Sequence, residues 1–160
     1  MIDIFNSPGK EQFRIHKELL CSRVPYFEKM FRDGGFIESV DQTASFPEDD
    51  PAIFSLFLEW LYTKNLAPIN VANSTETSGP LVDLMRLYQF ADKLCLLELA
   101  DYAITILVSN YDHHHLPPSQ FAMKLAYEIT GAGSGLRAFM VNFLFFRVEQ
   151  NKWGTKELCE

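Results

Sequence analysis

The sequence is poor in the features that usually announce chemistry. Its cysteines are three, Cys21, Cys95 and Cys159, an odd number at wide spacings. No C-x-x-C occurs, which excludes a zinc ribbon and a thioredoxin-type redox motif. Neither G-x-S-x-G, H-E-x-x-H nor a P-loop signature is present. No uninterrupted apolar run approaches the roughly 18 residues a membrane-spanning helix needs. The opening "MIDIFNSPGK" has no basic segment followed by an apolar one, so no secretory signal is read. Asn73-Ser74-Thr75 is then a glycosylation sequon in name only. Unpaired cysteines and no signal suit a reducing compartment, so cytoplasm or nucleus is expected.

Basic residues are also few: 14 Lys and Arg stand against 21 Asp and Glu, a formal net charge of −7. They are scattered, and phosphate contacts need them clustered, so a nucleic-acid surface is not expected. What the chain does have is apolar and aromatic mass. Of its 160 residues 48% are hydrophobic, with 14 Phe, 6 Tyr and 2 Trp. That suffices for one good core and suggests an apolar surface besides, expected near residues 65–80 and the helix after them.

Ile2 and Ile4, then Phe13 and Ile15, alternate on either side of a turn with Asn6, Pro8 and Gly9, which predicts a β-hairpin. From Lys17 the period becomes helical through Leu19, Leu20, Val24, Tyr26, Phe27, Met30 and Phe31, and Pro25 splits it into two helices. Gly34 and Gly35 suit a left-handed cap at the end of the second. Thr43–Phe46 reads as a strand. Asp50-Pro51 then opens a helix over "PAIFSLFLEWLYT", with Ile53, Phe57, Trp60 and Leu61 on one stripe and Phe54, Leu58 and Tyr62 on another. After a polar loop come helices with apolar faces Leu84, Leu87, Tyr88, Ala91, Leu94 and Leu97, Ile104, Leu107, Val108, Tyr111. Two more are expected over Gln120–Ile129 and Leu136–Glu149.

The candidates for chemistry each have a plainer reading. His16-Lys17 pairs a base with a cation, but nothing nearby completes a catalytic set. The pair is expected to turn strand into helix, with His16 bonded to the backbone. His113-His114-His115, with Asp112, is the one metal candidate. Adjacent histidines point apart, and a polar helix end explains them. "GAGSG" lacks the preceding strand of a phosphate loop and reads as a glycine cap and turn, with Ser134 or Gly135 entering the next helix. Glu48-Asp49-Asp50 is accounted for by the helix start. No cofactor is implied, and no enzyme is assembled from these residues.

"FRIHKELLCSRVPYFEKMF", "SFPEDDPAIFSLFLEWLYT" and "LVDLMRLYQFADKLCLLEL", in this order and spacing, resemble the BTB/POZ domain over about residues 2–112. "LPPSQFAMKLAYEITGAGSGLRAFMVNF" resembles the helical C-terminal extension of short fungal members. The resemblance implies an α+β fold, mostly α: a small β-sheet with a helical cluster in 2–112, a helical extension over 113–150 packed on it, and a tail at 151–160. It implies a non-catalytic protein–protein interaction module, with His16, Lys17 and Asp92 as signatures of the fold. Its implied partners are proteins: a cullin-3-type scaffold of ubiquitin ligases, for which the chain is an adaptor, or a second copy. A transcription-related oligomerisation domain is a further family role. The segment swapped in some family dimers precedes the first hairpin, where this chain starts, so a homodimer is expected to use a non-swapped surface. A hydrophobic-x-acidic motif serves scaffold binding in the family, and Leu81-Val82-Asp83 fits it in words. The competing reading packs Leu81 and Val82 against the helix start and sets Asp83 on its dipole.

Overall fold

The computed structural model describes residues 1–6, 11–32, 37–68, 77–115 and 117–154. Among them are three strands and eight helices, the mostly helical α+β architecture expected. The chain divides into two compact units, residues 1–68 with 90–100, and residues 69–89 with 101–160.

In the first unit the strand order is β2-β1-β3. β1 (Ile2–Asn6) and β2 (Glu11–Ile15) pair antiparallel with Ile2 opposite Ile15, so the hairpin forms as expected. Its turn residues Pro8 and Gly9 lie outside the described residues. Alternation puts Ile2, Ile4 and Ile15 into the core. On the solvent side Arg14 Nε donates to Asp3 Oδ1 at 2.8 Å, and this guanidinium holds the Asp3 carboxyl below its ordinary range.

β3 (Thr43–Phe46) joins the other side of β1 in parallel, which requires a crossover. The chain makes it with α1 (Lys17–Arg23), α2 (Pro25–Phe31) and α3 (Ile37–Asp41). Val24, before Pro25, is extended at φ −128°, because proline crowds the helical conformation of its predecessor. α2 stops at Arg32 in extended backbone, not in a left-handed cap, and Gly34 and Gly35 lie outside the described residues. α3 was not expected from the sequence.

α4 (Pro51–Thr63) begins as predicted: the Asp50 carboxylate accepts from Ala52 N–H at 2.9 Å, and Pro51 takes the first helical position. Ile53, Phe54, Phe57, Trp60 and Leu61 are buried, while Tyr62 of the second stripe is exposed. The rings of Phe27, Phe54, Phe57 and Phe90 cluster with neighbouring centroids 5.4–6.3 Å apart, tilted or edge-on for the most part. Arg23 donates to the Leu61 carbonyl, tying α1 to the end of α4.

α5 (Pro80–Lys93) buries the face expected of it. α6 (Leu97–His113) departs from expectation in part: Leu107 and Tyr111 are buried as expected, Leu97 and Val108 are exposed, and Leu99, Ala100 and Ala103 complete the buried face. Alanines at helical spacing mark that face, and a reading weighted to large side chains passes over them.

In the second unit α7 (Gln120–Ile129) is capped by Ser119, whose hydroxyl accepts from Ala122 N–H at 3.1 Å. It ends at extended Thr130, whose Oγ1 bonds Ala126 O, so the expected glycine cap is replaced by a threonine. Ser134 Oγ accepts from Leu136 N–H at 3.2 Å and opens α8 (Gly135–Gly154), which runs past residue 150. Arg147 of α8 is buried. Its Nη2 donates to the Tyr111 and Asp112 carbonyls at 3.2 and 3.1 Å and to Asp112 Oδ1 at 2.9 Å, so a cation closes the carbonyl end of α6.

Candidate docking surface

His16 occupies the step from β2 to α1, and Lys17 begins the helix. His16 does not cap it. Its ring Nδ1 lies 2.9 Å from the Tyr62 hydroxyl, and its backbone N–H donates to the same oxygen at 3.3 Å. The partner is thus the tyrosine of "WLYT", 46 residues on, not the backbone expected. His16 clamps the start of α1 to the end of α4.

The acidic run does more than start a helix. Asp49 Oδ2 accepts from Lys93 Nζ at 2.7 Å, joining "PEDD" to "ADK" across 44 residues. Lys93 Nζ also lies 5.6 Å from the Phe46 ring. Asp92 is exposed, and its carbonyl accepts from Cys95 N–H at 3.0 Å in the turn after α5. His16, Asp49 and Lys93 are thus fasteners between elements, whereas Asp92 serves a local turn.

The histidine run lies at and beyond the end of α6, and the Asp112 carboxylate beside it is engaged by Arg147. Among the described residues no group of three His, Cys, Asp or Glu is placed to hold a metal ion. Cys21 is half-buried in α1 with its Sγ 3.7 Å from the Phe27 carbonyl, and burial pushes its thiol pKa up. Cys95 is exposed and in the left-handed conformation at φ 54°, so it is no core hydrophobe. Among the described residues no helix is long and apolar enough to cross a membrane.

Leu81, Val82 and Asp83 form the first turn of α5. Val82 is buried, and Leu81 and Asp83 are half-buried. None of the large hydrophobic side chains exposed among the described residues belongs to 65–68, 77–80 or α5. Residues 69–76 of the expected stretch lie outside the described residues; among those described, the exposed large apolar side chains lie elsewhere, because α5 turns its own inward.

One part of it is in the first unit. Pro25, Tyr26, Lys29 and Met30 of α2, Glu38 of α3, and Leu94 and Cys95 after α5 line a groove of about 380 Å³. Beside it α3 presents Ile37 at 74% and Val40 at 79% exposure, and Tyr26 is 37% exposed. Ile37 and Val40 are one helical turn apart, so they share a face. Lys29 and Glu38 make no ion pair among the described residues. The wall is mainly aliphatic and aromatic carbon, with one cation and one anion as its charged members. Little in the sequence points to this groove. "IESVD" is too short to show a period, although Ile37 and Val40 three apart beside glycines is the trace it left.

A family model for the BTB/POZ domain matches residues 1–110. The chain belongs to the BTB/POZ family. BTB/POZ domains are generally interaction modules rather than enzymes, so protein partners are implied, and the fastening roles of His16, Asp49 and Lys93 are those of a scaffold that holds a surface in shape. The family match covers all the elements that form the groove and ends inside α6.

Proposed function

We propose that this BTB/POZ chain is an adaptor that docks a cullin-3-type ubiquitin-ligase scaffold through the groove between α2, α3 and the turn after α5. The observation that carries the reading is the groove: Pro25, Tyr26, Met30 and Leu94 give it an apolar lining, and Ile37 and Val40 of α3, the helix that supplies Glu38, are exposed. Exposed apolar surface of this kind marks interaction sites. A helix laid across it would bury Ile37 and Val40 and set its charged side chains against Lys29 and Glu38. The α7–α8 segment, which resembles the extension of short fungal members, then serves to carry the substrate.

The test is light scattering during size exclusion with a purified cullin-3-type N-terminal domain. The wild-type chain is expected to move into a one-to-one complex. Ile37→Asp and Met30→Glu are each expected to weaken it about tenfold or more, as charge placed at an interface centre does, with melting unchanged for the exposed Ile37. Leu81 and Asp83 are the second candidate contact. Capture lost in a Leu81→Lys, Asp83→Lys variant but kept in the groove variants would move the site to α5.

A further inference from the structure

We propose that the free edge of β3 takes an extended, basic segment of another protein as a fourth strand of the sheet. β3 contributes no residue to the groove, so this site stands apart from the adaptor reading.

The strand order β2-β1-β3 leaves one side of β3 without a neighbouring strand. Asp3 lies opposite Thr43 in the parallel register, and its N–H donates to the Gln42 carbonyl at 3.1 Å. In a parallel ladder the residues flanking that position, here Gln42 and Ala44, turn their peptide groups to β1. The N–H and C=O groups of Thr43 and Ser45 therefore turn outward. Among the described residues no backbone bond engages them on that side. An open edge of this kind is a template for an added strand. Ala44 and Phe46 hold the core side while Ser45 is exposed, so the strand reaches solvent in the folded chain.

The charges choose the occupant. Asp41 precedes the strand and Glu48 follows it, and both are exposed. Neither enters an ion pair among the described residues, whereas Asp49 is held by Lys93 and Asp50 caps α4. No Lys or Arg occurs between positions 33 and 63. A second copy would bring the same carboxylates to an edge-to-edge contact and be repelled, one of the ways edge strands avoid pairing with themselves. A strand with a cation at each end is attracted instead, and the net charge of −7 adds to that attraction at long range. Thr43 and Ser45 put small hydroxyl side chains on the solvent face, where small polar residues of the added strand pair best. The edge is short, so binding is weak and depends on the charged ends.

The test is fluorescence anisotropy of a labelled peptide, KVTVTVK, titrated with the untagged chain, with EVTVTVE as its acidic counterpart. Saturable binding of the basic peptide, weakening as salt rises, and none of the acidic one are expected. Ser45→Pro removes an outward N–H and leaves the bonds to β1, and should weaken binding about tenfold. Glu48→Lys should weaken it about fivefold. Melting curves show whether each variant is folded. Should Ser45→Pro melt early, amide hydrogen exchange of the wild-type chain decides in its place: the basic peptide should slow exchange at Thr43 and Ser45 and leave β2 unchanged. No saturable binding, equal binding of the acidic peptide, a folded Ser45→Pro that binds as the wild type does, or protection on β2 in place of β3 overturns the proposal. Ile37→Asp should keep the peptide, and its loss there overturns the separation of this edge from the groove.

Discussion

Two faces of the molecule expose large apolar side chains, and they are built differently. The α2–α3 face is concave, bordered by Lys29 and Glu38, and rises from a segment fastened at both ends. The exposed face of α8 carries Phe145 at 64% exposure with Phe146 and Val148, on a convex helix. Its nearby cation, Arg147, is turned inward to Asp112 and the end of α6. Exposed carbon is common to both, and what distinguishes the first is its lined concavity. Isolated surface hydrophobes are ordinary, whereas a lined groove with a polar rim selects its occupant.

Three substitutions sharpen that difference. Phe57→Ala removes a ring from the cluster of Phe27, Phe54 and Phe90, and should cost about 3–5 kcal/mol in chemical denaturation. Because Phe27 belongs to α2, scaffold capture should fall with stability. Arg147→Ala removes the bonds to the Tyr111 and Asp112 carbonyls and the packing on Phe143, an expected loss of about 1–3 kcal/mol. Capture by the groove should persist in the folded fraction. Phe145→Ser should change stability by about 0.5 kcal/mol or less and leave capture as it is. Loss of capture in Phe145→Ser alone would reverse the ranking of the two faces.

Much of the fold was legible because its signals are local. Asp50-Pro51 states a helix start, Pro25 states a break, and the alternation of Ile2, Ile4, Phe13 and Ile15 states a hairpin, and all three were found. The docking surface was less legible. Its walls come from α2, α3 and the turn after α5, brought together over about seventy positions by packing that no window of sequence contains. The partner of His16 and the union of Asp49 with Lys93 are likewise long-range facts. Leu81-Val82-Asp83 drew attention because it matches a motif in words, but burial of Val82 shows that its residue types also serve a helix start.

The most direct test of the account is the molar mass of the chain with the cullin-3-type domain, measured for wild type and Ile37→Asp side by side. The account predicts a one-to-one complex for the wild type and separate species for the variant, with identical melting curves. A variant that binds as the wild type does would contradict it, because Ile37, at 74% exposure and next in the chain to the groove-lining Glu38, is placed in the contact by this reading.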